Sequence, residues 1–127
     1  MSDPASLLVF EYAPSRLRRT SLKLHAVRLA KEVSGGREFT CLITNDNRLR
    51  MLNRTWRGKD EPTDVLSFPA APMPLAKEAV TPPLPLGELA ISCERARLQA
   101  AEHGHSLEEE ICILMLHGLL HLMGMDH

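Results

Sequence analysis

Residues 117–127 read HGLLHLMGMDH, and no other stretch of the 127 residues limits the fold as tightly. The Leu and Met positions give the segment the apolar character of a buried helix. His117 and His121 stand four residues apart, so both imidazoles leave the same helical face, one above the other. Gly124 lets the chain leave the helix in a left-handed conformation, and three residues later His127 can fold back to the same point. Neutral imidazole suits Zn²⁺ or a similar transition metal. Nitrogens one turn apart can meet a single ion at about 2.0–2.1 Å. Three histidines leave a fourth position open, the mark of a catalytic metal rather than a structural one. The competing reading, ordinary hydrogen-bonded histidines, leaves the glycine and the third histidine unexplained.

The spacing H-x-x-x-H-x-x-G-x-x-H is that of the long zinc motif of metzincin proteases, which place a glutamate directly after the first histidine as general base. Here that position is Gly118, which has no side chain to take a proton. The same metal geometry then serves other chemistry, or the base comes from elsewhere. Glu88 and Asp126 are the carboxylates considered for that role, although their placement is not fixed by sequence.

The pattern upstream predicts an α/β (α+β) fold: a small mixed sheet of about four strands packed with helices, the metal-binding helix lying near the C-terminus. LLVFEY (7–12) reads as a strand, and Ser15 as the cap of a helix from about 16 to 33 with Leu22, Ala26, Leu29, Ala30 and Val33 on one face. EFTCLIT (38–44) alternates as a strand, with Phe39, Cys41 and Ile43 pointing one way. Asn45 or Asp46 caps a second helix carrying Leu49, Leu52 and Trp56. DVLSFP (64–69) is a strand bounded by Pro62 and Pro69, which favours a sheet edge. Residues 70–85 contain five prolines and read as a loop, GELAIS (87–92) as a strand, and 93–103 as a helix stopped by Gly104. Ser106 and Glu109 match a capping box that opens the last helix, from 107 to about 123. One hydrolase domain over 1–127 fits this length.

Charge adds a functional hint. Residues 16–59 hold twelve Lys and Arg against three Asp and Glu, although the whole chain carries a net charge of -1. A basic half suits a polyanionic partner, since clustered cations gain by releasing counterions from a phosphate backbone. The alternative is that these charges are spread over solvated helix faces. Cys41, Cys93 and Cys112 are an odd number without C-x-x-C spacing and read as buried thiols. No run approaches a membrane span, and the N-terminal segment lacks the features of a secretory signal, which predicts a cytoplasmic protein without membrane contact.

The stretches LNRTWRGKDEPTDVLSFP (52–69), LGELAIS (86–92) and HGLLHLMGMDH (117–127), in this order and spacing, resemble the YbeY family of bacterial endoribonucleases over roughly residues 40–127. The resemblance implies a metal-dependent, single-strand-specific endoribonuclease. It implies action in ribosomal RNA processing, notably at the 3′ end of the small-subunit species, and in ribosome quality control. It implies one Zn²⁺, or another transition metal, held by His117, His121 and His127. Arg57 is implied as the essential catalytic arginine across the cleft. The partners implied are single-stranded RNA, ribosomal RNA and the small ribosomal subunit. From their position beside Arg57, Arg50, Arg54 and Lys59 are read as RNA-binding cations. The chain departs from the family at Trp56, where tyrosine is usual, and in stopping at the third histidine. Two other readings remain at this point: a non-catalytic RNA-binding assembly factor whose metal organises the fold, and a protease-like metallohydrolase.

Overall fold

A computed structural model describes residues 7–70 and 85–125. Eight elements follow one another: β1 (Leu8–Phe10), α1 (Arg19–Glu32), β2 (Phe39–Thr44), α2 (Asp46–Arg57), β3 (Val65–Pro69), β4 (Gly87–Ser92), α3 (Cys93–His103) and α4 (Leu107–Leu122). The sheet order is β1-β2-β4-β3, with β1, β2 and β4 parallel and β3 antiparallel to β4 at the edge. This is the mixed α/β class expected from the pattern, with the proline-bounded strand at the edge where a missing ladder donor is tolerated. The proline-rich stretch falls outside the described residues except at its two ends, Ala70 and Pro85. Asp126 and His127 fall outside them as well.

Strand alternation decides where the core sits. Phe39, Cys41 and Ile43 of β2, with Leu89 and Ile91 of β4, pack against Leu22 and Ala26 of α1 and Ile111, Met115 and Leu119 of α4. The other sheet face carries a thinner layer, Leu66 and Ala90 against Leu49 of α2, flanked by Leu42, Leu52 and Phe68. Cys41 and Cys93 are buried free thiols, and Cys112 is half-buried. Burial, aided by Glu108 and Glu109, pushes the Cys112 thiol up to about 11, so it stays protonated at neutral pH. Among the described residues no helix is long and apolar enough to cross a membrane.

The helix starts show which signals are local. Asn45 caps α2 by accepting the Arg48 N–H at 2.9 Å. Ser106 and Glu109 form the reciprocal box on α4: the Ser106 hydroxyl accepts the Glu109 N–H at 3.1 Å, and the Glu109 carboxylate accepts the Ser106 N–H at 2.8 Å. α1 differs from expectation. It begins at Arg19, not near 16, and Ser15 does not cap it. Residues 14–17 instead form a turn closed by the Leu17 N–H and the Pro14 carbonyl at 3.1 Å, and Leu17 is buried in the core. The orphan Arg18 N–H is satisfied from far along the chain, by the Glu108 carboxylate at 2.9 Å.

α4 approaches the sheet most closely at Gly118. A Cβ there would lie 2.8 and 3.2 Å from the two methyls of Leu89 and 3.2 Å from a Val65 methyl. The Ser67 hydroxyl donates to the Gly118 carbonyl at 3.1 Å, fastening β3 to the helix at the same level. Gly124, at φ 83, ends the helix as expected. Its N–H reaches the His121 carbonyl at 3.0 Å, and the Met125 N–H reaches the Leu120 carbonyl at 2.9 Å, the two bonds of a Schellman motif.

Two stability measurements follow. Ser106→Ala should lose about 1 kcal/mol in urea unfolding at neutral pH, the usual worth of a cap. The hydrogen bonds from Ser106 hold the Glu109 carboxyl below the usual carboxylate range. Its contribution is therefore full above the unfolded-state value and is lost as pH falls through the lowered folded-state value. The gap between wild type and variant should narrow in acid. Gly118→Ala should also destabilise, by about 1 kcal/mol, because overpacking against Leu89 exceeds the gain in helix propensity. Gly118→Val should cost more, and an unchanged urea midpoint for both would show that Leu89 yields freely.

Candidate active site

His117 and His121 lie one turn apart near the end of α4, both exposed. They line a cavity of about 510 Å³ together with Arg57, the last residue of α2, and with Asp64 and Ser67 beside and within β3. Three of the side chains singled out from sequence thus meet around one space, from helices on opposite faces of the sheet. Met125 lines the cavity too, so the chain passing Gly124 turns back along it. His127, two residues further on, lies outside the described residues.

The direction of Arg57 is set by how α2 stops. Gly58 adopts φ 71 and donates to the Arg54 carbonyl at 3.2 Å, while the Lys59 N–H reaches the Asn53 carbonyl at 3.3 Å. Asn53 is buried, and its side-chain amide donates to the Glu61 carbonyl at 3.0 Å, drawing the following loop back beneath the helix. No pattern in the sequence marks Asn53, because its partner is a backbone carbonyl eight residues away. Arg50, Arg54 and Lys59 are exposed and do not line the cavity. The Arg50 guanidinium donates to Asp60 at 2.8 Å, and that hydrogen bond holds the Asp60 carboxyl below its usual range.

Of the two carboxylates considered as a base, Glu88 lies among the described residues and Asp126 does not. Glu88 points to the α2 side of β4, where it lines a separate cavity with Arg48, Trp56 and Phe68. Residues alternate along a strand, and Leu89 takes the α4 side, so Glu88 cannot reach the histidines. Asp64, the first residue of the stretch read as a strand, does line the histidine cavity. Its two oxygens accept the Val65 N–H at 2.8 Å and the Gln99 side-chain amide at 3.0 Å, which fixes the carboxylate. The signal for Asp64 is tertiary: Gln99 lies on α3, thirty-five residues away.

A second group of ligand-type side chains was not legible in the sequence. His103 ends α3, His105 follows Gly104, and Glu110 lies in the first turns of α4. The Nδ1 atoms of both histidines lie 3.2 and 3.1 Å from one oxygen of the buried Glu110. Burial alone would raise the Glu110 pKa, but hydrogen bonds and charge from His103 and His105 outweigh it and lower the value. The three ligand atoms lie within 4.8 Å of one another and could hold a metal ion.

Comparison with known proteins bears on these sites. The family model for endoribonuclease YbeY matches residues 12–127. A protein named endoribonuclease YbeY from Solibacter usitatus is 52% identical over 128 residues, covering 100% of this chain and 80% of that protein. One of the same name from Myxococcus xanthus is 45% identical over 113 residues, covering 89% of this chain but 36% of its own length. The solution structure of TM1509 from Thermotoga maritima superimposes with a TM-score of 0.59 at 28% identity, over 94% of this chain and 73% of that one. With the family model matching residues 12–127 and a relative 52% identical over the whole chain, this protein belongs to the YbeY endoribonuclease family.

Proposed function

We propose that this chain is a metal-dependent endoribonuclease that cuts single-stranded RNA. Its substrate in the cytoplasm would be ribosomal RNA, with maturation of the small-subunit 3′ end and ribosome quality control as its roles. The observation that carries the reading is the single cavity lined by Arg57, His117 and His121. Family membership supports RNA as the substrate, since the matched relatives are named endoribonucleases.

Two exposed imidazoles one turn apart on a cavity wall are a donor pair of the type Zn²⁺ accepts, so the described residues fit such an ion. In this reading His117, His121 and His127 hold one ion. When bound, it supplies Lewis acidity toward a phosphoryl oxygen or a water. Arg57 offers a planar, permanently charged fork that binds two phosphate oxygens and stabilises charge developing there. Its seat at the C-terminal end of α2 suits a cation, because that end of a helix carries partial negative charge. Arg50, Arg54 and Lys59 hold the RNA backbone outside the cavity. Gly118 gives the site no proton acceptor, which separates its chemistry from that of peptide-cleaving enzymes with the same histidine spacing.

The test is cleavage of an end-labelled single-stranded RNA by Zn²⁺-loaded protein. Arg57→Ala and His121→Ala, each checked for native circular dichroism, should lose at least about 100-fold in rate, the usual loss for a group that stabilises transition-state charge. Equal residual cleavage in all three proteins would mean that the activity is foreign to the chain. Products ending in a 2′,3′-cyclic phosphate would identify the RNA's own 2′-OH as the nucleophile.

A further inference from the structure

The corner between α3 and α4 is built from very few residues. Gly104, at φ 71, reverses the chain after His103, and its N–H reaches the Ala100 carbonyl. The His105 N–H reaches the same Ala100 carbonyl at 2.9 Å. Ser106 then caps α4, which places Glu110 one turn into the helix. The tight corner brings both imidazoles back over that carboxylate. Their rings stand 5.7 Å apart, centre to centre, tilted at 58°. The rings are exposed at the rim, whereas the Glu110 side chain is 3% exposed.

We propose that His103, His105 and Glu110 form a second transition-metal site, of the kind that takes Zn²⁺, separate from the His117–His121 cavity. The donor set is two imidazoles and one carboxylate, all common zinc ligands. Metal bonds of about 2.0–2.1 Å at tetrahedral angles hold neighbouring donors about 3.4 Å apart. The two histidine nitrogens already lie 3.2 and 3.1 Å from the Glu110 oxygen, so two edges of the tetrahedron are nearly formed. All three donor atoms lie within 4.8 Å of one another, and the remaining closure falls on two exposed rings flanking a glycine.

The surroundings suit a cation. The cluster lines a hollow of about 480 Å³ that Asp64, Gln99 and Glu102 also line, so two further carboxylates lend the hollow negative charge. The same hollow is bounded by His117, the residue it shares, along with Asp64, with the catalytic cavity. Glu110 and His117 are seven residues apart on α4, about 10 Å along the axis at 1.5 Å per residue. That is too far for a bridged pair of catalytic metals, which stand about 3.5–4 Å apart. The second ion would instead clamp the α3–α4 corner, from which α4 carries its histidines to the catalytic cavity.

Zn²⁺ titration calorimetry on untagged, chelator-stripped protein tests this. Wild type should bind two equivalents. The variant carrying both His103→Ala and His105→Ala should bind one, and His121→Ala should retain the one that this double variant loses. The double variant takes both partners from the buried Glu110 carboxylate, so its native circular dichroism is verified before titration, and Glu110→Gln serves as the second variant. Glu110→Gln, which removes the anionic ligand, should weaken the second equivalent at least about 10-fold while the first is unchanged. Bound Zn²⁺ should raise the melting temperature of His121→Ala but not of His121→Ala combined with the two histidine substitutions. The proposal is overturned if the double variant binds as many equivalents as wild type. A single equivalent that survives His121→Ala and vanishes in the double variant would uphold it, while counting against the catalytic metal.

Discussion

The contact of α4 with the sheet at Gly118 decides where the cavity lined by Arg57, His117 and His121 can lie. With no side chain between the helix backbone and Leu89, α4 sits directly on β3 and β4. Ser67 then binds the Gly118 carbonyl and fixes the helix against the edge strand at that level. His117 is thereby held at the rim of the sheet, not over its middle, and His121 follows one turn later. On the far side of the edge strand the end of α2 is steered by Asn53, which brings Arg57 to the same cavity. The cavity exists because an edge strand is narrow enough for two helices on opposite faces to reach around it.

Much of this was legible in the residue pattern, for local reasons. The alternation in Phe39, Cys41 and Ile43 reports which strand face is buried, and the structure buries those three side chains together. The capping box at Ser106 and the glycine stop at Gly124 involve partners within a turn of each other, so the signal is complete in a few residues. Pro62 and Pro69 placed β3 at an edge because only an edge tolerates a missing donor.

What was not legible depends on contacts distant in sequence. α1 takes its N-terminal partner from Glu108, ninety positions away, so Ser15 offered a plausible cap that the fold does not use. Asp64 carries no local mark of its place in the cavity, because Gln99, which holds it, lies on another helix. Glu88 had no fixed place in the sequence reading, and strand alternation sends it to the α2 face, where it lines a different cavity. His103 and His105 gave no recognisable spacing with Glu110, because a helix end, a glycine turn and a new helix intervene between them.

The cavity's dependence on α4 also has a temporal side. Arg57, Asp64 and Ser67 are translated fifty or more residues before His117 and His121. Chains are made at about 5–20 residues per second, and a domain folds as a unit. The first wall of the cavity therefore leaves the ribosome seconds before the second exists. Until α4 docks, β4 lacks its cover of Ile111, Met115 and Leu119, and no partial chain can bring the arginine and the histidines together. The cavity is thus absent from a nascent chain until the helix that bears His117 and His121 has been delivered.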